Sequence, residues 1–317
     1  MIRRFAGIVG ALVLVTIAFA IFVGWLLAHP VQTAIGNPPT HLNAEPVTFA
    51  SDSSATVHGW WCPIQNANGA VLLLPGIRAN RLSMVERARF LHRAGYSVLL
   101  IDFQATGETK GDHITVGWKE SRDVLAAINF IRQTDATAPV AIIGSSLGGV
   151  AALLATPPLK IDALVLEEVY PTIEITTRNR MENYLGVFGR ALTPLFLNQL
   201  QWRLGVSAWQ LRPVDHIENV ECPMFIISGE NDRNTRPTDT RMLVERARNP
   251  KEVWFVPNAG HIDLHRAARQ EYETRVLAFL AKSAKISLER WAEPTKHAKR
   301  REKFQVEDRR NTFSSLP

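Results

Sequence analysis

Ser146 stands at the centre of Gly144-Ser-Ser-Leu-Gly148. Upstream, Val140-Ala-Ile-Ile143 reads as a buried strand; downstream, Gly149-Val-Ala-Ala-Leu-Leu154 has good helix propensity. A strand, a sharp turn and a helix in direct succession push a serine out at the top of a sheet, where its hydroxyl lies beside the free NH groups of the helix start. Gly144 and Gly148 suit a turn too tight for a Cβ on either side. Ser146 is therefore the candidate nucleophile, and Ser145, one place early, is expected to be buried or hydrogen-bonded beside it. A Gly/Ser turn in an ordinary strand-to-helix connection can produce the same pentapeptide, so the flanking elements carry the reading.

A serine hydroxyl is a weak nucleophile until a base takes its proton, and that base needs a carboxylate to hold its tautomer. Both types of residue follow apolar strands. Met224-Phe-Ile-Ile-Ser228 runs into Gly229-Glu-Asn-Asp232, and Glu252-Val-Trp-Phe-Val256 runs into Pro257-Asn-Ala-Gly-His261. Of the nine histidines, His261 alone has glycine before it and a strong strand just upstream. Asp232 is the preferred carboxylate, in competition with Glu230, Glu167 and Glu168. Acyl chemistry also builds charge on an oxygen that two NH donors must meet. Leu147 NH is one by position, and the turn Pro75-Gly76-Ile77 supplies the other, assigned to Ile77 NH. Arg78 beside it reads as a surface arginine or as a contact for an anionic substrate. The remaining histidines, His113 and His265 included, read as surface residues.

The elements that must hold these groups follow from apolar runs. Val47–Phe49 and Thr56–Cys62 suggest two short strands around a polar turn, Ala70–Leu74 and Ser97–Ile101 are further buried strands, and a helix is expected from about Arg81 to Ala94. After the loop from Phe103 to Gly117, Val124, Leu125, Ile128 and Ile131 are expected on one helix face. With Asp162–Glu167 and the strands already named, the alternation implies an α/β fold, a mostly parallel sheet of about eight strands flanked by helices. Between Glu167 and Met224 lie about fifty residues, far beyond an ordinary connection. They carry Tyr170, Tyr184, Phe188, Leu195, Phe196, Leu197, Trp202 and Trp209. The expectation is a helical cap, at about 170–215, that forms an apolar acyl pocket over the sheet or else packs on a small core of its own.

The 317 residues suffice for one large α/β domain with appendages. Residues 1–30 form a separate unit. From Phe5 to Ala28 there is no charge and only Thr16 is polar, a run of 24 residues. As a helix it spans roughly 36 Å, enough for about 30 Å of hydrocarbon. A signal h-region is shorter, and the small-x-small site Ala18-Phe-Ala20 falls inside the run, so an uncleaved anchor is favoured over secretion after signal cleavage. Arg3 and Arg4 place the N-terminus in the cytoplasm and the rest of the chain outside it. Residues 31–46, with Pro38, Pro39 and Pro46, read as an extended linker to a domain at 47–283. The tail at 284–317 is basic. From Lys282 onward ten Lys/Arg face five acids, a net +5 of the chain's +6. That leaves the central domain near neutral and removes the case for nucleic acid. The tail reads as a solvated extension or as an arm for anionic lipid. Cys62 and Cys222 suggest neither a disulfide framework nor a metal site, and no phosphate-cradling loop is visible, so no cofactor is expected.

Taken together, these residues resemble the α/β-hydrolase superfamily of serine esterases and peptidases, in its small bacterial membrane-anchored or secreted branch. The resemblance spans about residues 45–283. Leu74-Pro-Gly-Ile-Arg78 resembles the family's strand and His-Gly turn, Asp102-Phe-Gln-Ala-Thr-Gly107 its Asp-x-Arg-Gly-x-Gly loop, Gly144–Gly148 its elbow, and Gly229–Asp232 and Gly260-His261 its acid and base loops. Pro75 departs from the usual histidine, and Gln104-Ala105 from Arg-Gly. The resemblance implies a triad of Ser146, Asp232 and His261, and places the Cys62 and Cys222 strands far apart, which disfavours a disulfide between them. It is not specific for substrate; the first reading is an acyl-enzyme mechanism on Ser146 that cleaves a carboxylic ester of a small-molecule, apolar acyl substrate. A peptidase, a thioesterase or acyltransferase, and a non-catalytic binding protein on the same fold are the alternatives.

Overall fold

The computed structural model describes residues 2–248 and 251–284; the basic tail expected at 284–317 lies outside them from residue 285 onward. Eight strands make the main sheet: Glu45–Ala50 (β1), Thr56–Cys62 (β2), Ala70–Leu74 (β3), Ser97–Ile101 (β4), Val140–Ser145 (β5), Ala163–Glu167 (β6), Met224–Gly229 (β7) and Lys251–Val256 (β8). Their order is β8-β7-β6-β5-β3-β4-β2-β1; β2 runs antiparallel to both of its neighbours, β1 and β4, and every other pairing is parallel. Continuous apolar runs form the central strands because both sheet faces are covered. Leu72 and Leu74 feed one core while Val71 and Leu73 feed the other.

Helices cover both faces. Glu120–Thr134 (α3), Leu147–Leu153 (α4) and Pro237–Arg246 (α7) pack on the first core, and Val85–Arg93 (α2) and the helical residues 269–284 pack on the second. The helix expected from Arg81 opens as a tighter 3-10 turn, Arg81–Met84, before α2 begins. On α3 the buried face is Val124, Ala127, Ile128 and Ile131, and Leu125 sits at its margin. Leu125 is one residue, about 100° of rotation, from Val124, and the stripe passes it by.

Ile2–Ala28 (α1) is one continuous apolar helix, long enough to cross a bilayer by length and composition. The segment after it is extended but tied down. Val31 and Gln32 pair in parallel with Thr106 and Gly107, and Leu42 is fully buried in the second core. Between β6 and β7, Ile173–Leu185 (α5) and Val187–Leu204 (α6) form a helical pair, followed by three short 3-10 turns. Cys62 and Cys222 are buried thiols at strands separated by four others, about 24 Å at the usual strand spacing and far beyond disulfide reach.

Candidate active site

In the sheet order, β3 lies between β4 and β5, so the chain reverses its direction of winding there and leaves a crevice at the carboxyl ends of β3 and β5. Ser146 follows β5 directly. Its backbone takes φ 48° and ψ −108°, strained for a residue with a Cβ, and its NH donates to Glu167 O at 2.7 Å. The turn is tight because α4 doubles back onto the sheet. A Cβ on Gly148 would come within 2.4 Å of Leu74 O, and one on Gly144 within 2.6 Å of Gly149 N. These contacts are the steric reason for the two flanking glycines.

The acid and base loops converge. His261 Nδ1 lies 2.7 Å from Asp232 Oδ2, while Asp232 Oδ1 accepts from Asn234 N at 2.7 Å and Thr235 N at 2.9 Å. A carboxylate at Nδ1 keeps the proton there and leaves Nε2 as the basic nitrogen. Of the competing acids, Glu230 is exposed and its Oε2 accepts from Asn258 N. Glu167 is buried in an ion pair with Arg87, 2.7 Å from Nη2, and accepts from Tyr272 Oη as well. The third competitor, Glu168, lies nearest the imidazole after Asp232. It is held at φ 53°, its Oε1 accepts from Ile262 N at 3.1 Å, and its Oε2 stands 3.9 Å from His261 Nδ1. Burial, followed by the charge of Asp232, pushes its carboxyl up to about 9. At neutral pH Glu168 therefore carries its proton. Donor atoms of Glu168, Asp232 and His261 lie within 4.8 Å of one another, a spacing that also suits a cation. Three of the four carboxylate oxygens are already engaged, by backbone NH groups or by the imidazole.

The structure thus joins Asp232 to His261 and ties Ser146 into the same neighbourhood through the backbone of Glu167 and the Glu168 contact to Ile262. Among the described residues no hydrogen bond links the Ser146 hydroxyl to the imidazole. Ser146, Leu147 and Ile77 line one cavity of about 210 Å³. Gly76 packs against Ser146: a Cβ there would sit 3.9 Å from the serine Cβ. The loop after β3 is braced from below, because Asp102 accepts from Arg81 N at 2.8 Å and Glu108 N at 2.9 Å. Gln104, where the resemblance expects arginine, uses its amide to bond His113 O and Glu120 Oε1. Pro75, in place of the usual histidine, is buried.

The rest of the cavity comes from elsewhere. Tyr170 and Ile173, Thr176 and Arg180 of α5, Leu197 and Leu200 of α6, and Gly24, Leu27 and Ala28 of α1 complete it. Sequence reasoning missed α1 and Arg180 as wall residues. Burial lowers the pKa of Arg180, a guanidinium whose hydrogen bond goes to Thr176 Oγ1 and not to a carboxylate. Arg78 is neither a plain surface residue nor a cavity cation alone: its Nη1 donates to Leu26 O at 2.7 Å, in the last turn of α1, and to His29 O at 3.2 Å, just past its end. His265, expected at the surface, is 2% exposed, stacks on Phe90 and bonds Glu273 through Nε2 at 2.9 Å. The following helical residues 269–284 cover it.

A mostly parallel sheet wound in this order, with a serine on a tight strand-to-helix turn after β5 and an aspartate–histidine pair after β7 and β8, is the architecture of an α/β hydrolase. The chain belongs to the Alpha/beta hydrolase family, whose model matches residues 71–275, more than half of it. It is 27% identical over 304 residues to the alpha/beta hydrolase domain-containing protein WAV2 of Arabidopsis thaliana, covering 88% of this chain and 93% of that one. It is also 22% identical over 228 residues to the uncharacterized protein YqkD of Bacillus subtilis, covering 71% and 75%. Among solved structures, an esterase of Pyrococcus furiosus superposes with a TM-score of 0.67 at 21% identity, over 81% of this chain and 98% of that one.

Proposed function

We propose that this hydrolase cleaves the carboxylic ester bond of an apolar acyl substrate through an acyl-enzyme on Ser146. The observation that carries the reading is the 2.7 Å bond from His261 Nδ1 to Asp232 Oδ2, set beside a serine on a strained elbow that opens into an apolar cavity. His261 Nε2 takes the proton from Ser146 Oγ as that oxygen attacks the ester carbonyl carbon. The carbonyl oxygen becomes an oxyanion received by the NH groups of Ile77 and Leu147. The imidazolium then gives its proton to the departing alkoxide, and the alcohol leaves. Water, deprotonated by the same nitrogen, attacks the acyl-enzyme and releases the carboxylic acid and the serine. A missing serine–imidazole hydrogen bond is common before substrate binds and tightens the site. The protonated state of Glu168 leaves Asp232 as the charged partner of the imidazole. Esterase activity in the Pyrococcus furiosus relative supports the ester reading.

The same proposal makes α1 an uncleaved anchor with the N-terminus in the cytoplasm and the catalytic domain on the far side, as Arg3 and Arg4 indicate. Retention is supported by the domain's own hydrogen bonds to carbonyls of α1 at Ala20, Ile21, Leu26 and Ala28. Cleavage after Ala20 would remove the Ala20 carbonyl and leave only residues 21–28 of the helix to present the other three. The test is release of p-nitrophenol from p-nitrophenyl butyrate by the full-length chain in detergent micelles. Turnover that disappears in Ser146→Ala and His261→Ala is expected; turnover that survives in Ser146→Ala would remove the serine mechanism.

A further inference from the structure

The cavity above Ser146 is not enclosed by the hydrolase domain and its helical pair alone. Its floor is Ser146, Leu147 and Ile77, and one wall is α6, through Phe196, Leu197, Leu200 and Leu204. A further wall is the last two turns of α1, through Gly24, Leu27 and Ala28. We propose that this end of the membrane helix is the part of the acyl-binding cavity that sets acyl-chain length, and that the substrate is an ester whose chain reaches from Ser146 to Leu27. The proposal rests on the ester-hydrolase reading and goes beyond it by giving the anchor a place in substrate selection.

The docking of α1 is specific. Gln199 Nε2 donates to Ala20 O at 3.0 Å and to Leu195 O at 2.9 Å, and Arg203 Nη2 donates to Ile21 O at 3.1 Å and to Gln199 Oε1 at 3.2 Å. At the end of the helix, Ile114 N donates to Ala28 O at 2.9 Å while Arg78 takes Leu26 O and His29 O. A guanidinium at the carbonyl end suits the helix dipole. Arg78 also adjoins Ile77, so the helix end and the proposed oxyanion donor are held by one turn of chain.

The face that meets α6 is cut for close approach. Ala20, Gly24 and Ala28 recur every four residues, and Ala20 and Ala28 are buried. A Cβ on Gly24 would meet Gln199 Oε1 at 2.3 Å and its Cδ at 2.9 Å. Gln199 cannot swing aside cheaply, because its amide is held at both ends and the residue is buried. Away from this face, Phe5, Ile8, Leu12, Leu14, Val15 and Phe19 are exposed, the apolar surface a bilayer would cover. Leu27, 48% exposed, sits where the cavity meets that outer surface. An acyl chain extending past Ser146 would come against Leu27. A bulkier side chain there shortens the cavity, and a smaller one lengthens it.

The test is a chain-length profile of the full-length protein in nanodiscs, using p-nitrophenyl acetate, butyrate, octanoate and dodecanoate. Leu27→Trp should lower kcat/KM for the dodecanoate by about tenfold or more, the size of a lost or blocked pocket contact, while the acetate stays within about twofold. Leu27→Ala should move the preference toward the dodecanoate, and Ile17→Trp, on α1 but outside the cavity, should leave the profile unchanged. Each variant is also labelled with a fluorophosphonate, which reports the serine independently of chain length. Unchanged profiles in both Leu27 variants, with labelling at the wild-type rate, would overturn the proposal and leave the serine mechanism standing. Wild-type protein that is folded but takes no label would overturn both.

Discussion

At the carboxyl ends of β5, β7 and β8 the side chains of the proposed triad are aimed by backbone. Ser146 is held by its own φ of 48° and by a main-chain bond to Glu167, and Asp232 by two main-chain NH groups. Around the cavity the arrangement is different. Three separate segments, α1, α5 and α6, line it, and the side chains of Gln199 and Arg203 on α6 and of Arg78 in the loop after β3 tie α1 in place. The contrast separates what each region can control. On the proposed mechanism, backbone-aimed groups act on the reacting bond whatever acyl chain is attached, whereas a wall assembled from side chains discriminates between chains. Substitutions in the first region should therefore change turnover for every substrate alike, and those in the second should split one substrate from another.

The sharpest way to break that division is at the serine. Ser146→Ala should cost on the order of 10⁴ to 10⁶ in kcat for acetate and dodecanoate esters equally, measured as p-nitrophenol release. A loss confined to one chain length would erase the division. Next in size is Asp232→Asn, expected to lower kcat by about 10³ to 10⁴, again without regard to chain length. Its residual rate should climb with pH as Glu168 ionises 3.9 Å from Nδ1, at a pH below the wild-type value of about 9 because the Asp232 charge that helps hold the proton is gone. The double variant Asp232→Asn, Glu168→Gln should lack that climb in a pH–rate profile.

On the cavity side, Leu200→Trp should reduce kcat/KM for the dodecanoate by about tenfold and barely touch the acetate, because Leu200 lines the cavity from α6. Smallest in its effect on rate is Glu168→Gln, expected to stay within a few-fold of wild type at pH 7. Its signature is stability. The native state holds a proton on Glu168 that the unfolded chain releases between its ordinary 4.5 and about 9. The favourable contribution is thus complete below pH 4.5 and lost as pH rises toward 9. Glutamine removes that slope, so Tm should rise over wild type at pH 9, by roughly 2–4 °C per kcal/mol recovered, and differ little at pH 4.5.

Much of the first region was legible in the sequence because it is local. A buried strand, two glycines and an alanine-rich helix start are contiguous around Ser146, and the acid and base each follow an apolar run by a few residues. Asp232 was the preferred acid in the sequence, but nothing there excluded Glu168. Both stand just past strand ends, and only the folded distances, 2.7 Å against 3.9 Å to the same nitrogen, separate them. The second region was legible only as composition. Fifty-odd residues rich in aromatics announced a cap, but nothing in an apolar run from Phe5 to Ala28 says that three of its residues face a serine more than a hundred positions away. Such a contact is made by tertiary packing, and its only trace in the sequence is the spacing of Ala20, Gly24 and Ala28. His265 was misplaced for the same reason: the helical residues 269–284 bury it, and their charged pattern hid them as a core element.

The most direct measurement of the central claim is the intact mass of the full-length protein after exposure to a fluorophosphonate, followed by digestion to locate the adduct. The account predicts one adduct per chain, on the peptide that contains Ser146, formed at a rate that falls sharply in His261→Ala and Asp232→Asn and much less in Glu168→Gln. An adduct on another residue, or labelling of Ser146 that is indifferent to His261, would contradict it.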